Sequence, residues 1–472
     1  MSKQKFWFVV GSQHLYGEEA LTQVKENAQK IVNHLNKSEL SFEVELYDEL
    51  AVTADTITKI MKEVNYQDDV QGVITWMHTF SPAKMWIRGT KLLQKPLLHL
   101  VTQFNEDIPW DTIDMDYMNL HQSAHGDREY GYINKRLGIN NKVIVGYWKD
   151  EHVIKDIEEW MNVAYAYNES FNIKVARFGD NMRNVAVTDG DKIEAQIKFG
   201  WTVDYYAIGD LVALVEQVSE EEVNNLLEEY REKYDFELRD IAENDFIASV
   251  KEQIKYEVAI EKFLIQGGYS AFTSNFEDLY GMKQLPGLAV QRLNEKGFGF
   301  AGEGDWKTAA LDRFMKIIAK NEATGFMEDY TYNMSKGNEL ILGSHMLEVD
   351  PTLSNEKPKI VVQPLGIGGK DDPARMVFDG KTGEGIVATL IDDGDDFKLI
   401  INDIEAVSVA EKAPKLPVAR VIWKVKPDFK NGVKQWIENG GGHHTVLSLK
   451  VTKSQLITFA NLVDLDFVVI GE

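Results

Sequence analysis

The chain has 472 residues, with 51 lysines and arginines against 75 aspartates and glutamates and a formal net charge of −24. This charge repels a phosphate backbone or an anionic lipid surface, so neither nucleic acid nor a membrane is an expected partner. The length exceeds what one hydrophobic core normally organises, and about three domains are expected.

The N-terminal sequence MSKQKFWFVVGSQ holds an apolar run that is too short for a signal peptide and lacks a small-residue cleavage site. No window approaches a membrane span, so a cytoplasmic protein is expected. The chain has no cysteine. Disulfides, thiolate nucleophiles and Cys-ligated zinc are thereby excluded, and any metal must be held by His, Asp, Glu or carbonyl groups.

In the first third of the chain, short apolar runs alternate with amphipathic stretches. The predicted strands are KFWFVVG, FEVELYD, VQGVITWMHTF and KPLLHLVTQ, with helix-like segments between them. Apolar runs without strict alternation favour strands covered on both faces, and helical crossovers imply that the strands are parallel. The pattern predicts an open, doubly wound, Rossmann-like α/β domain.

Two polar segments follow the first and third predicted strands, residues 11–17 (GSQHLYG) and residues 78–86 (HTFSPAKMW). Ligands gather at the carboxyl ends of such strands, and both segments mix aromatic faces with amide, hydroxyl and imidazole groups, as sugar-contacting loops do. For either segment alone, an ordinary β–α turn with Pro82 at a helix start is the favoured interpretation.

Residues 114–128 (DMDYMNLHQSAHGDR) hold His121 and His125 at the i,i+4 spacing that would place two metal ligands on one helix face. Gly126 and the absence of apolar periodicity favour a loop instead. No metal site is therefore predicted in this segment.

A second alternating region begins near Asn172, with an acidic helix opening at Ser219 and a last helix at residues 306–320. Beyond about Asn321, short strands are joined by Gly and Asp turns with few helices between them, which is typical of an antiparallel sheet or barrel. Two helices are predicted in this part, near residues 429–438 and 454–463.

Four groups in the second half of the chain carry chemical interest. Glu303 lies between two glycines, just before Asp305, which can cap the helix that follows. Glu328 lies among apolar residues, and His345 is expected within a strand. His443 and His444 follow three glycines. Each has a simpler interpretation as a helix-end anion, a loop charge, a core imidazole or a helix cap. Together, two Glu and two His suit a divalent ion such as Mn²⁺ better than structural zinc.

Other motifs fail their structural requirements. Residues 297–302 (GFGFAG) match a dinucleotide fingerprint, but the preceding GLAVQRLNEK looks helical where a strand is required. GKT at residues 380–382 resembles the end of a phosphate loop, yet Arg375 stands where that loop needs glycine. The chain also lacks the G-x-S-x-G and H-E-x-x-H motifs.

Ten segments, in order along nearly the whole chain, resemble the L-arabinose isomerase family. They are GSQHLYG, HTFSPAKMW, RFGDNMR, VAVTDGDK, QLPGLAVQR, GFAGEGDWKTAA, FMEDYTY, LGSHMLEV, LGIGGKDDPAR and GGGHHT. The resemblance implies a fucose isomerase-like architecture of three domains, two Rossmann-like, doubly wound parallel-sheet domains followed by a mainly β domain. Their expected bounds are residues 1–172 with substrate-contacting loops, residues 173–322 carrying Glu303, and residues 323–472 carrying Glu328, His345 and His444. It also implies a homo-oligomer, commonly a hexamer, in which a neighbouring subunit completes each site.

The resemblance further implies one Mn²⁺ per subunit held by Glu303, Glu328, His345 and His444, with Co²⁺ or Mg²⁺ as possible substitutes. The expected reaction converts L-arabinose to L-ribulose through an enediol, with Glu303 and Glu328 sharing the general acid and base roles. D-Galactose is a second expected substrate. The expected substrate contacts are Gln13, Leu15, Tyr16, Phe80, Gln122, His125, Met182, Phe276, Ile367 and His443. Which glutamate deprotonates carbon stays open, as do the alternatives of an L-fucose-type isomerase, a sugar epimerase and a non-catalytic sugar-binding protein.

Overall fold

The computed structural model describes residues 3–366, 369–410 and 413–472. The chain divides into two compact units, Met1–Asn168 and Glu169–Glu472. The second and third predicted domains thus lie in one compact unit, and the boundary expected at residue 322 stays a prediction. No helix in the described ranges is long and apolar enough to cross a membrane.

The first unit contains a five-stranded parallel sheet in the order β2-β1-β3-β4-β5. Its elements are β1 Lys5–Gly11, α1 Gly17–Leu35, β2 Glu43–Leu46, α2 Ala54–Tyr66, β3 Val70–Met77, α3 Ile87–Leu92, β4 Leu97–Val101, α4 Met115–Leu120, α5 Ser123–Leu137, β5 Lys142–Val145 and α6 Glu151–Ser170. The parallel sheet predicted for this part of the chain is confirmed.

Alternate residues of β1 bury themselves on opposite faces of this sheet. Phe6 and Phe8 join one core with residues of α1 and α6, whereas Trp7 and Val9 join a second core with residues of α2. Burial on both faces explains why β1 reads as a continuous apolar run.

The loop predicted for residues 114–128 is wrong, because α4 and α5 occupy most of it. Asp114 caps α4 by accepting from Tyr117 N at 2.8 Å. Gly126 is a close-packing residue here, since an added Cβ would lie 2.7 Å from Met77 Cβ. His121 ends α4 and His125 lies inside α5, so the two histidines do not share one helix.

The second unit begins with a four-stranded parallel sheet in the order β10-β9-β6-β7. The helices and strands in this part of the second unit are β6 Lys174–Phe178, α7 Lys192–Phe199, β7 Thr202–Tyr206, α8 Ile208–Val215, α9 Glu220–Lys233, β8 Asp235–Phe236, α10 Glu243–Gly267, β9 Ala271–Ser274, α11 Gly287–Glu295, β10 Gly299–Ala301 and α12 Trp306–Ile318; β8 lies outside the four-stranded sheet. As predicted, Ser219 caps α9, through a reciprocal capping box with Glu222.

The rest of the second unit is mainly β. Its elements are β11 Thr324–Asn333, β12 Leu340–Ser344, β13 Lys359–Val362, β14 Ala374–Val377, β15 Gly383–Asp392, β16 Phe397–Val407, β17 Val421–Val425, α13 Phe429–Glu438, β18 His444–Ser448, α14 Lys453–Leu462 and β19 Asp466–Val469. The order β15-β18-β11-β12-β17-β16, with β15 also paired to β16, closes six antiparallel strands into a barrel-like sheet. The predicted β character and both predicted helices are confirmed.

One hydrophobic core joins the helical and β-rich parts of the second unit. Val223 of α9 and Ile254 of α10 belong to the same buried cluster as Met327 of β11 and Leu447 of β18. Separately, the ring of Phe300 on β10 packs edge to face against Phe326 on β11, with centroids 6.0 Å apart, which holds the end of β10 against the barrel-like sheet.

Candidate metal centre

Glu303 lies in the tight turn between β10 and α12. Its φ of +62° is in the left-handed region, which a residue with a side chain adopts only at an energetic cost. The turn is fixed by Met182 N, which donates to Glu303 O at 3.0 Å, and by Asp305, which caps α12 as predicted. The strained backbone holds the Glu303 carboxylate at the carboxyl end of the parallel sheet.

Three neighbouring strands supply the other predicted ligands. Glu328 on β11 pairs in register with His444 on β18 and, on its other side, with Ser344 at the end of β12. His345 follows Ser344 directly, so it stands just beyond the strand in which it was expected. Sheet pairing therefore brings ligands that are distant in sequence to one place.

The four side chains converge. His444 Nε2 lies 3.7 Å from Glu303 Oε2, and His345 Nε2 lies 4.0 Å from Glu328 Oε2. One ligand atom each of Glu303, His345 and His444 lies within 4.8 Å of the others, a spacing that fits a common metal ion. His443 is also close, with Nε2 3.7 Å from Glu328 Oε1. That these groups bind a metal stays a prediction.

Two further carboxylates orient the imidazoles. His345 Nδ1 donates to Glu348 Oε2 at 2.5 Å, and His444 Nδ1 donates to Asp305 Oδ2 at 2.9 Å. Both rings thereby present Nε2 to the centre, the arrangement found around metal-ligating histidines. Sequence analysis did not single out Glu348, although its position three residues after His345 was a usable signal; Asp305 was predicted only as a helix cap.

The donor set fits a cation. Glu303 Oε2 and His444 Nε2 are both buried, and neither has a hydrogen-bond partner in the described part of the chain. Such orphaned atoms are rare in folded proteins, and a bound cation would satisfy both. Two carboxylates and two imidazoles suit Mn²⁺ and similar ions.

The electrostatics of the centre reflect its burial. Burial raises the pKa of Glu328, and nearby Glu303 adds to this effect, although His345 opposes it. Burial opposes protonation of His345, but the adjacent Glu348 outweighs it and raises the pKa of His345 to about 9. Burial and neighbouring His444 lower the pKa of His443 to about 4. A cation bound by His345 would compete with a proton for its Nε2 atom.

A cavity of about 150 Å³ opens onto these residues. Its walls combine apolar and polar side chains and are formed by Ser274, Phe276, Leu279, Leu285, Pro286, Phe300, Gly302, Glu303, Glu328, Tyr330, His345, Met346 and Glu348. Phe276, an expected substrate contact, is among them. Met182 contacts Glu303 through its backbone, and Ile367 lies outside the described residues.

The expected substrate contacts of the first unit form two pairs. Tyr16 donates from its hydroxyl to Gln122 Oε1 at 3.0 Å, and the rings of Phe80 and His125 lie 5.9 Å apart, edge to face. Gln13 precedes the short helical turn that holds Leu15, whose side chain is 81% exposed. Tyr16 follows β1 and Phe80 follows β3, where the strand order reverses and α/β sheets bind ligands, whereas their partners Gln122 and His125 come after β4.

Parallel α/β sheets and a barrel-like β sheet, with a Glu/His cluster of which Glu303, Glu328 and His345 line a cavity, define a candidate metal-dependent enzyme. Three family models match the chain: the L-arabinose isomerase N-terminal domain at residues 1–172, the central domain at residues 174–321 and the C-terminal domain at residues 323–466.

Named relatives extend over the full length. The chain is 67% identical to the L-arabinose isomerase of Oceanobacillus iheyensis, over 100% of this chain and 99% of the relative. It is 66% identical to L-arabinose isomerase 2 of Bacillus licheniformis, over 99% of each, and 62% identical to L-arabinose isomerase 2 of Clostridium acetobutylicum, over 100% of this chain and 96% of the relative. The chain belongs to the L-arabinose isomerase family and is an enzyme of the aldose–ketose isomerase class.

Proposed function

We propose that this enzyme converts L-arabinose to L-ribulose in L-arabinose catabolism, using Mn²⁺ held by Glu303, Glu328, His345 and His444. The observation that carries the proposal is the pair of buried, unpartnered atoms, Glu303 Oε2 and His444 Nε2, that face each other at 3.7 Å beside the cavity. The names of the full-length relatives support L-arabinose as the substrate. A fucose isomerase-like architecture is part of the same proposal.

The reaction requires proton transfer at two carbons. When bound, the divalent ion would polarise the sugar carbonyl and offset the negative charge that develops on the substrate oxygens. One carboxylate takes the proton from C2 and returns it to C1, while O2 loses a proton and O1 gains one through an enediol. Glu303 and Glu328 both line the cavity and can divide these roles.

The apolar residues that line the cavity favour proton transfer between the substrate and the two carboxylates. The apolar wall that includes Phe276, Leu279 and Phe300 reduces the access of water to the reacting carbons. Which carboxylate removes the proton from C2 stays open.

The direct test incubates the purified protein with Mn²⁺ and L-arabinose and measures ketose. Ketose formation that EDTA abolishes and Mn²⁺ restores is the expected result. D-Galactose, assayed in parallel, tests the second expected substrate. Formation of a ketose from L-fucose but not from L-arabinose would favour the L-fucose-type isomerase. Binding of the sugar without formation of a ketose would favour a non-catalytic sugar-binding protein.

A second test separates proton transfer from a metal-assisted hydride shift. In heavy water, an enediol route should incorporate solvent deuterium at C1 of the ketose. Complete retention of the original hydrogen would require a hydride shift or a proton fully shielded from solvent.

We further infer a cytoplasmic homo-oligomer, a hexamer by the family resemblance, in which a neighbouring subunit completes each site. The aromatic and polar side chains that follow β1 and β3 of the first unit, among them Tyr16 and Phe80, have the character of sugar contacts. Light scattering measures the assembly. A monomer with full activity would exclude a shared site.

A further inference from the structure

Lys307 is a buried cation placed behind the metal centre. It lies in the first turn of α12 and its side chain is 1% exposed. Its ammonium donates to Val187 O at 2.8 Å and to Asp189 O at 2.6 Å, and it pairs with Asp305 Oδ1 at 3.3 Å. Asp305 in turn orients His444 through its other oxygen. Lys307 itself lies outside the walls of the cavity.

The two carbonyls belong to residues 180–190, which we term the buttress loop. This loop supports the Glu303 turn: Met182 N donates to Glu303 O, and Asn181 Nδ2 donates to Gly304 O at 3.1 Å. The packing is close, since a Cβ added to Gly304 would lie 2.7 Å from Asn181 Cα.

The buttress loop also packs against the glycine run that leads into His444. A Cβ added to Gly442 would lie 2.5 Å from Val187 Cγ2. Next to Lys307, a Cβ added to Gly190 would lie 2.8 Å from Lys307 Cδ, so the loop closes directly over the lysine side chain. One loop thus supports the backbone next to two of the predicted ligands, and Lys307 fastens that loop to α12.

We propose that Lys307 is a positioning residue for the metal centre. By holding the buttress loop and Asp305 together, it fixes the backbone of the Glu303 turn and the orientation of the His444 imidazole. Its ammonium satisfies two carbonyls and one buried carboxylate at once, which an apolar side chain of similar length cannot do. Losing it leaves Asp305 without its cation and releases the Val187 and Asp189 carbonyls. The inference rests on the proposed function, because it assumes that the centre binds a divalent ion.

The test compares Lys307→Met with Lys198→Met. Lys198 is a matched control in the same unit, because its ammonium also joins one aspartate, Asp396 at 2.5 Å, and one carbonyl, Asp464 O at 2.9 Å. Free Mn²⁺ is counted by its electron paramagnetic resonance signal during titration of each full-length protein, so that affinity is measured without turnover.

Lys307→Met should weaken Mn²⁺ binding by about tenfold or more, as losses behind metal-ligating histidines do, and Lys198→Met should leave it within about twofold of the unsubstituted protein. Activity of Lys307→Met should return towards the unsubstituted level at high Mn²⁺. Equal Mn²⁺ affinity in Lys307→Met and the unsubstituted protein, with only a lower melting temperature, would overturn the inference and leave the proposed function intact. Absence of Mn²⁺ binding in the unsubstituted protein would instead remove the proposed function.

If Lys307→Met does not fold, Lys307→Gln carries the same test, since its amide can still donate to one loop carbonyl. Misfolding of both variants while Lys198→Met folds would overturn the inference, because Lys307 would then serve the fold as a whole.

Discussion

Glu328 and His444 are direct partners in the antiparallel pairing of β11 and β18. Their separation is therefore set by main-chain hydrogen bonds within a closed sheet. Because Ser344 pairs with Glu328 from the other side, His345 is positioned by the same sheet. Strand pairing therefore places three of the four predicted ligands without the help of an ion.

We accordingly expect the metal-free protein to stay folded. Removal of divalent ions with EDTA should leave the far-ultraviolet circular dichroism unchanged and lower the melting temperature. Re-adding Mn²⁺ at about one hundred times its dissociation constant should restore about 2.7 kcal/mol of stability, as binding to the native state alone requires. Unfolding on chelation would contradict a preformed centre.

Glu303→Gln should abolish ketose formation and keep the fold. The amide removes a proton-transfer group and a negative charge from the centre, and either loss should lower the rate by at least about a hundredfold. Ketose assays and circular dichroism measure the two effects. Glu232→Gln, at an exposed position on α9, is the control and should behave as the unsubstituted protein. Substantial activity in Glu303→Gln would remove Glu303 from the mechanism.

Gly302→Ala should weaken metal binding through His345. An added Cβ would lie 2.9 Å from His345 Cε1 and 3.1 Å from Nε2, closer than a methyl group tolerates, so the ring must shift. Gly209→Ala is the control, since nothing lies within 4 Å of its added Cβ and its φ is ordinary. Mn²⁺ titration of both variants is the measurement. Unchanged affinity in Gly302→Ala would mean that the His345 ring has room to move.

Glu348→Gln should lower Mn²⁺ affinity by about 10–100-fold, because the amide no longer holds the Nδ1 proton of His345 as a carboxylate does. Far-ultraviolet circular dichroism should be unchanged. An affinity equal to that of the unsubstituted protein would show that the packing of His345 alone fixes its ring.

Much of this arrangement follows from local sequence. The caps at Ser219 and Asp305 can be predicted from sequence because each forms its hydrogen bonds within its own helix. The parallel sheet of the first unit can be predicted from its continuous apolar runs. The convergence of Glu328 with His444 depends on strand register, which no local pattern contains; residue chemistry suggested a joint site for the two Glu and the histidines, and the family resemblance selected His444 rather than His443 as the ligand. Residues 114–128 were mispredicted because Gly126 packs against β3 inside a helix, a tertiary reason for a glycine that reads locally as a helix breaker.

Asp312 predicts a pH dependence of stability away from the metal centre. Lys316 Nζ lies 3.2 Å from Asp312 Oδ2 and 2.8 Å from Asp350 Oδ2, so two buried carboxylates share one ammonium. Burial, aided by Asp350 and opposed by Lys316, raises the pKa of Asp312 to about 6. Between its ordinary value of 3.8 and about 6, the folded state binds more protons at this site than the unfolded state. Its contribution to stability is therefore full below about pH 4 and is lost as the pH rises through about 6.

Asp312→Asn should remove this dependence, because the amide does not titrate and leaves Lys316 paired with Asp350 alone. The free energy of unfolding of the variant, measured relative to that of the unsubstituted protein, should increase by roughly 1–3 kcal/mol from pH 4 to pH 7. Thermal unfolding midpoints at pH 4, 5, 6 and 7 measure the difference, and Asp240→Asn, at an exposed turn, should leave it constant. A difference that stays flat for Asp312→Asn, or that moves in the opposite direction, would mean that Lys316 keeps both carboxylates ionised throughout this range.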